Sequence, residues 1–292
     1  MRGSLPDRLL RLAPHLVLLA AVLALWELAV HRAWVNAFMV PKPSAVFDAF
    51  VRLYVTDRII YRHFFITMYE AVAGFAIGAT VGISLAVMSA LNESFRRYVS
   101  PYAIVLNVTP GLALTPIIIA WFGFGMGSKI ALAAVICFFP IFVNTLSGLL
   151  QQDTEREELF TSLGASPVQR FWKLRVPAAL PIMFAGLKIG MTTALIGAVV
   201  AEFAQATEGV GVLMQRFSFQ LNMASSVAVL LTMSLMGLTL YYAMEFLDDR
   251  LVFWRRDRGM ARVARHRKAR YLARFARPLT KPDQTMKGRN AT

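Results

Sequence analysis

The chain has 292 residues, of which 57 % are hydrophobic and 16 % are charged, and its mean hydropathy is +0.54. A soluble domain usually has about a quarter of its residues charged, so this composition argues against a soluble protein and favours an integral membrane protein. The net charge of +14 is concentrated at the C-terminal end, because from Arg250 onward fourteen basic residues face two acidic ones.

Six stretches are long and apolar enough to cross the hydrocarbon layer, which takes about 20 helical residues. The sequence therefore predicts an all-α, polytopic membrane protein with six transmembrane helices. The first span, within residues 13–31, follows three arginines but contains Glu27 and leads to no small-residue cleavage site, so we interpret it as an uncleaved helix rather than a signal peptide. The six apolar windows are roughly 14–30, 64–91, 99–122, 130–150, 180–203 and 224–247.

The distribution of Lys and Arg predicts the orientation. Basic residues are in excess in the segments that share a side with the N-terminus, which places residues 1–12 and the basic tail 251–292 in the cytoplasm. The segment 32–63 then lies outside, and its stretch SAVFDAFVRLY is typical of an amphipathic helix at the outer interface. The apolar face of that helix would consist of Phe47, Phe50, Val51 and Tyr54.

The third apolar window, 99–122, contains several polar or helix-breaking residues. Irregular backbone inside a bilayer is tolerated where protein or water satisfies its polar groups. Two interpretations stay open: the break lines a translocation pathway, or the prolines kink a helix for packing. The candidates for the pathway are Asn107, Thr109, Pro110 and Thr115.

A polar connection, residues 151–179, separates the fourth span from the fifth. Thr154 and Glu157 have the spacing of a capping box, which predicts a helix start at this point. The helix would present Leu159, Phe160 and Leu163 as an apolar patch. Gly164 suits the left-handed residue that ends such a helix.

A second helix start follows directly. Ser166 and Gln169 repeat the capping-box spacing, and Pro167 suits the first helical position because its missing N–H needs no partner there. Pro177 and Pro181 predict that this second helix is short. The whole connection is therefore predicted to be stiff and to protrude from the membrane.

The spacing Glu158-x5-Gly164-x9-Leu174-x-Val176-Pro177 resembles the cytoplasmic loop signature of the permease subunits of bacterial ABC importers. The runs VPKPSAVFDAF, TPGLALTPIIIAWFGFGMGSK, FFPIFVNTLSGL and PAALPIMFAGLKIGMTTALIGAVVAE look like the subgroup that imports nitrate, sulfonates, taurine and pyrimidine precursors of thiamine. The likeness covers roughly residues 40–250. It implies a type I ABC importer transmembrane fold, with a core at 64–250 that contains five helices. Leu159 and Phe160 depart from the family pattern, which has two alanines there.

The resemblance also implies how the chain works. In that family the loop docks on a separate ATPase, and Phe171 or Trp172 would be the buried anchor. The matching residues of the coupling loop are Glu158, Gly164, Ala165, Ser166, Pro167, Arg170, Phe171, Trp172 and Pro177.

The implied partners are two ATPase subunits, which bind ATP and Mg, a second permease subunit that we expect to be another copy of this chain, and an extracytoplasmic solute-binding protein. The location would be the bacterial cytoplasmic (inner) membrane. The chain itself is expected to be no enzyme and to bind no cofactor or metal, since GFGMGSK has the wrong spacing for a phosphate loop. The cargo is expected to be a small solute, either an anion of the nitrate, sulfonate or taurine kind or a thiamine- or riboflavin-type precursor.

Two ionisable residues in the fifth span, Lys188 and Glu202, are further pathway candidates, because an isolated charge in hydrocarbon is costly. For Glu202 we favour a role in holding the outer gate or in helix packing over contact with the substrate. Two other functions fit the sequence less well. An ion-coupled secondary carrier would usually need more spans and related halves. A nucleic-acid binder would need a reading module that the basic tail lacks, so contact of the tail with anionic lipid is favoured.

Overall fold

The computed structural model describes residues 5–36, 38–151, 153–205 and 207–254. The chain divides into two compact units, residues 1–248 and 249–292. Of the second unit the structure describes the residues up to Trp254, so the basic tail 255–292, and with it the predicted contact with lipid, lies outside the described residues.

Within the described ranges the chain is helical and forms no strand. Two π-helical turns interrupt the regular geometry: Arg52–Thr56 follows the second helix, and Phe171–Arg175 joins the eighth helix to the ninth. The helices are α1 Leu5–His31, α2 Pro43–Val51, α3 Ile59–Leu91, α4 Glu93–Val108, α5 Gly111–Phe122, α6 Met126–Leu150, α7 Thr154–Ser162, α8 Pro167–Arg170, α9 Val176–Gln205, α10 Val210–Phe219 and α11 Met223–Leu251.

Among the described residues, five helical segments are long and apolar enough to span a membrane: α1, α3, α6, α8 with α9, and α11. The all-α polytopic fold is therefore confirmed. The interruption predicted within the third window, 99–122, is present: α4 and α5 meet at Thr109–Pro110 with a bend of 104° and count as a sixth span when taken together. Pro110 has no N–H to continue α4, and its ring forces Thr109 into an extended conformation (φ −73°, ψ 122°).

Helix α6 forms the centre of the fold, packed between α3 and α9. Its residues Leu132, Ala133, Cys137 and Ile141 are fully buried. In lipid, apolar surfaces gain little by leaving the solvent, so helices associate through close van der Waals contact between small residues. The stripe of glycines in α3 supplies that contact: Gly74, Gly78 and Gly82 lie against α6. Helix α9 approaches α6 from the other side in the same way, through Gly186, Gly190 and Gly197.

The prediction that Pro177 and Pro181 end the helix after Ser166 is wrong. Residues 167–204 form one apolar segment of 38 residues, in which α8 continues through the π-helical turn into α9. In the π-helical turn the Val176 N–H donates to the Phe171 carbonyl, five residues back. This wider turn lies directly before Pro177 and relaxes the clash that a proline ring makes with a regular α-helix.

The apolar face predicted to lie at the outer interface is not the face through which α2 packs on the protein. Val46, Ala49 and Leu53 are buried, whereas Phe47 is 67 % exposed. Glu27 fixes the start of α2 to α1, because its carboxylate accepts from the Ser44 N–H at 3.1 Å and from the Ser44 hydroxyl at 2.9 Å. A position of α2 at the membrane interface stays a prediction.

We expect Gly78→Ala to destabilise the protein. The added Cβ would lie 2.6 Å from the Ala134 carbonyl oxygen, so α3 and α6 would have to separate. Overpacking of this kind costs about 1–3 kcal/mol, and the midpoint of thermal unfolding in detergent should fall accordingly. Gly237→Ala in α11 is the matched control, because its Cβ would make an ordinary contact of 3.6 Å with Leu195. An equal loss of stability in the control would contradict the packing explanation.

Candidate functional site

The connection between α6 and α9 contains two short helices, and the first of them begins differently from the prediction. Helix α7 is capped by Asp153, whose side chain accepts from the Arg156 N–H. The capping box of Thr154 with Glu157 is therefore wrong, because Thr154 already occupies the first helical position. The Glu157 side chain is used elsewhere in the connection.

The turn between the two helices follows the sequence prediction. Gly164 has a φ of +76°, the left-handed conformation that favours glycine. The Ala165 N–H bonds to the Phe160 carbonyl at 3.0 Å, which closes the end of α7. The capping box of α8 is confirmed: the Gln169 N–H donates to the Ser166 hydroxyl at 3.2 Å, and the Ser166 N–H donates to the Gln169 side chain at 2.9 Å.

Glu157 ties the two halves of the connection together. Its carboxylate accepts from Arg175 Nε at 2.6 Å and lies 3.7 Å from Arg170 Nη1. Arg170 also donates to the Thr161 hydroxyl at 3.1 Å. These bonds join α7 to the start of the long helical segment 167–204, so the connection is braced as well as capped. Sequence reasoning missed Glu157 in this role, since its partner Arg175 is eighteen residues away.

The surface of the connection exposes large apolar side chains. Trp172 is 63 % exposed and Leu163 is 74 % exposed, and Leu159 and Val168 are exposed as well. Phe171 is instead buried among Leu149, Ala179 and Met183. Of the two aromatic residues proposed as a docking anchor, Phe171 is therefore unavailable and Trp172 is accessible.

The remaining signature residues lie on the same connection. Glu158, Ser166 and Pro167 are exposed, whereas Ala165, Arg170 and Pro177 are half-buried. The structure thus brings all the predicted residues of the coupling loop into one protruding segment.

The bend between α4 and α5 opens onto a cavity of about 240 Å³. Asn107, Thr109 and Gly111 contribute its polar groups, and side chains of α6 and α9, among them Phe139 and Ile196, complete its apolar wall. Thr115 is buried, and its hydroxyl bonds to the Gly111 carbonyl of its own helix at 3.3 Å. Among the pathway candidates, the cavity therefore brings together Asn107 and Thr109, with Pro110 at the bend, and leaves Thr115 outside its lining.

Lys188 and Glu202 lie apart from that cavity. Lys188 of α9 forms ion pairs with Glu245 and Asp248 of α11, with a distance of 2.6 Å between Lys188 Nζ and Asp248 Oδ2. These ion pairs connect α9 to α11. Glu202 is fully buried in a different cluster, near the C-terminal end of α9.

Glu202 helps to hold the first turn of α10. Three successive backbone N–H groups at this helix start each donate to a side chain of another helix: Gly209 to His63 Nδ1 at 2.9 Å, Val210 to the Thr67 hydroxyl at 2.9 Å, and Gly211 to Glu202 at 2.6 Å. The Thr67 hydroxyl in turn donates to the Glu202 carboxylate. We call this set of contacts the α10 clamp.

Two more charged residues extend the α10 clamp. Lys129 of α6 donates to Glu70 of α3 at 2.6 Å and to the Glu208 carbonyl at 3.2 Å. Glu70 is fully buried and Lys129 nearly so. Gly209 lies so close to Glu202, at a φ of +131°, that a side chain there would collide with the carboxyl group. Lys129 and Glu70 are 59 positions apart, and no local pattern in the sequence indicates their pairing.

The family profile described as "Binding-protein-dependent transport system inner membrane component" matches residues 78–253. The chain belongs to this family. It is 32 % identical over 235 residues to the "Formylaminopyrimidine transport permease protein ThiX" of Halalkalibacterium halodurans, covering 80 % of this chain and 93 % of the relative. It is 30 % identical over 241 residues to the "Putative aliphatic sulfonates transport permease protein SsuC" of Bacillus subtilis, covering 82 % and 87 %.

Other comparisons agree with this assignment. The chain is 30 % identical over 238 residues to the "Riboflavin transport system permease protein RibX" of Chloroflexus aurantiacus, covering 82 % of this chain and 88 % of the relative. The fold is similar to an inward-facing structure of the MetNI methionine ABC transporter, with a TM-score of 0.53 at 22 % identity, over 68 % of this chain and 95 % of that chain. The resemblance to ABC importer permeases of the binding-protein-dependent type is confirmed, and with it a multi-pass protein of the inner membrane that belongs to a family of transport permeases rather than enzymes.

We expect Thr67→Val to lower the stability of the folded protein, because it removes one link of the α10 clamp while keeping the shape of the side chain. The Val210 N–H would lose its acceptor and Glu202 would lose a donor in a buried place, and each unsatisfied group costs about 1–3 kcal/mol. Thermal unfolding in detergent measures the loss. Thr80→Val in the same helix is the control, because the exposed Thr80 hydroxyl bonds to the Ala76 carbonyl of its own helix. Equal unfolding midpoints for the two variants would refute the structural role of the α10 clamp.

Proposed function

We propose that this chain is the transmembrane permease subunit of an ABC importer and that residues 151–179 receive the work of ATP hydrolysis from a separate ATPase. The observation that carries the proposal is a braced, protruding connection with an accessible tryptophan on its surface. Two ATPase subunits, which bind ATP and Mg, would act on two permease subunits. An extracytoplasmic binding protein would deliver the cargo.

The stiffness of the connection supports this coupling role. A segment that transmits force must not fold up under load, and this one is capped by Asp153 and Ser166 and braced by Glu157. Phe171 fixes it to the membrane-spanning part. A push on the exposed surface would therefore move α8 and α9 together instead of bending the loop.

That movement would pass along the helical segment 167–204, because this segment is continuous. The segment begins at the capped turn after Gly164 and runs without a break to the region of Glu202, which holds the start of α10. A shift at Trp172 would thus be transmitted along one helical rod to the opposite end of the permease. This arrangement fits a mechanism in which docking on the ATPase side changes access on the other side.

The exposed apolar residues support a protein partner of matching shape. Aromatic anchors in fully desolvated pockets dominate many protein interfaces, and Trp172 is the exposed aromatic residue of the connection. Leu159 and Phe160 are larger than the alanines of the family pattern, and Leu159 is 55 % exposed. We infer that the ATPase partner has an apolar pocket enlarged to receive it.

The bend at Thr109–Pro110 supports a pathway at the contact between two permease subunits. Helices α4 and α5 expose large side chains in the single chain, including Tyr98, Tyr102 and Trp121. Backbone broken within the bilayer must face protein or a water-filled space, so a second copy related by a two-fold axis would cover this face and enclose the cavity. Asn107, Thr109 and Pro110 would then line the route.

The cargo would be a small solute, either a nitrate-, sulfonate- or taurine-like anion or a thiamine- or riboflavin-type precursor. The relatives described above are named as permeases for a formylaminopyrimidine, aliphatic sulfonates and riboflavin, and so include members of both groups. The surplus of Lys and Arg on one side supports an orientation with both termini in the cytoplasm, which puts residues 151–179 on the side where ATP is available. The basic tail would contact anionic lipid of the inner leaflet.

We expect Trp172→Ala to weaken binding of the ATPase by about thirtyfold or more, because truncation of an interface anchor typically costs 2 kcal/mol or more. The measurement is the amount of ATPase that co-purifies with the tagged permease, followed by a titration of affinity. Trp34→Ala is the matched control, since Trp34 is equally exposed but lies between α1 and α2. Unchanged recovery of the ATPase by Trp172→Ala would refute the docking role.

We expect Asn107→Trp to block uptake by filling the cavity at the bend while leaving the ATPase bound. Transport would be measured in vesicles that contain the complete transporter, with the compound found in its purified binding protein as the cargo. Leu230→Trp at an exposed position of α11 controls for the added bulk. Normal uptake by Asn107→Trp would exclude this cavity from the pathway.

A further inference from the structure

Two buried acids of the α10 clamp carry a chemical feature that the transport function does not require. Glu70 of α3 and Glu202 of α9 are both fully buried and are neighbours. The Thr67 hydroxyl, one helical turn before Glu70, donates to Glu202. Lys129 binds Glu70 and also the Glu208 carbonyl in the turn before α10. Two neighbouring ionised carboxylates repel each other strongly, and burial removes the water that would screen the repulsion.

One atom of this pair lacks a hydrogen-bond donor. Glu70 Oε1 accepts from Lys129, whereas Glu70 Oε2 is buried and has no donor within the described part of the chain. Such an orphan acceptor is rare in a native protein and calls for an explanation. A proton placed between Glu70 Oε2 and the adjacent Glu202 carboxyl group satisfies both side chains.

The charges of the cluster lead to the same assignment. Lys129 supplies one positive charge against two carboxyl groups, so full ionisation would leave a net negative charge in a site without solvent. One bound proton makes the cluster neutral. Burial of an uncompensated charge is far more costly than burial of a paired one.

The other charged groups around the cluster do not replace that proton. On α3, Arg62 pairs with Glu208 of the turn before α10, and His63 accepts the Gly209 N–H through Nδ1, which requires a neutral imidazole with its proton on Nε2. On α10, Arg216 is exposed and is close enough to His63 for an electrostatic interaction. Lys129 of α6 is thus the cation that contacts the carboxyl pair directly.

We propose that Glu70 and Glu202 share one proton and that this proton locks the start of α10 onto α3, α6 and α9. With the proton bound, Glu202 stays in place to accept the Gly211 N–H. Removal of the proton makes the two carboxylates repel each other and displaces Glu202 from the first turn of α10. The attachment of the turn between α9 and α10 to the neighbouring helices therefore depends on a bound proton. It does not depend on which cargo the permease carries.

Infrared spectroscopy of the full chain in lipid nanodiscs tests the shared proton directly. A protonated carboxyl group has a C=O stretching band separate from the bands of carboxylates and amides. We expect this band in the wild type at neutral pH, its loss as the pH is raised, and its absence from both Glu70→Gln and Glu202→Gln. In each variant the remaining acid is paired with Lys129 or with hydrogen-bond donors and can be ionised without a neighbouring carboxylate.

Glu245→Gln is the matched control, because Glu245 is paired with Lys188 in another part of the permease, and the band should persist in that variant. No band in the wild type at neutral pH would overturn the proposal, and so would a band that survives in both cluster variants. The wild-type spectrum decides the question even where a variant fails to fold.

Thermal unfolding gives a second readout. The folded state holds a proton that the unfolded chain releases, so stability should fall as the pH rises above about 4 to 5, where free carboxyl groups ionise. The fall should level off once the folded cluster has also lost its proton. We expect Glu202→Gln to abolish most of this fall and Glu245→Gln to retain it. The same fall in Glu202→Gln as in the wild type would count against the shared proton.

Discussion

The bilayer interior offers no water to a backbone N–H or carbonyl group, and this constraint governs each irregular place in the permease. At the start of α10, side chains of α3 and α9 bind three successive N–H groups. Before Pro177, a π-helical turn lets the helix continue past a residue that cannot donate. At Thr109–Pro110 the backbone bonds are local: the Thr109 N–H donates to the Val105 carbonyl at 3.1 Å, and the Ala113 N–H donates to the Pro110 carbonyl at 2.9 Å.

The close packing of α3, α6 and α9 makes these three helices one rigid unit. Glycines at the two interfaces bring the backbones close, so that α9 is held along its length and not only at its ends. One end of the segment 167–204 carries the exposed Trp172, and the other end carries Glu202. The proposed route of force and the buried proton site therefore share the same helix, which relates the docking surface to the α10 clamp.

The sequence was sufficient for the class of fold and for most of the coupling loop. Apolar length predicted the spans, and local rules of capping predicted Gly164, Ser166 and Pro167, because these rules depend on neighbours a few residues away. Local rules failed where distant residues decide the outcome. They could not show that Phe171 packs inward while Trp172 faces outward, that Glu157 meets Arg175, or that Lys129 pairs with Glu70 across 59 positions. The rule that proline interrupts a helix held at Pro110, where α4 and α5 meet, and failed at Pro177, where the helical segment continues.

The π-helical turn at Phe171–Arg175 also gives the segment 167–204 a place that absorbs a change in chain length. A π-helical turn contains one residue more than the α-helical turn it replaces, whereas one extra residue in a regular α-helix would rotate everything before it by about 100° around the axis. Loss of one residue from this turn would therefore restore a regular helix and leave the orientation of α7 and α8 relative to α9 nearly unchanged. The same loss elsewhere in α9 would turn the exposed face that carries Trp172 away from its present direction.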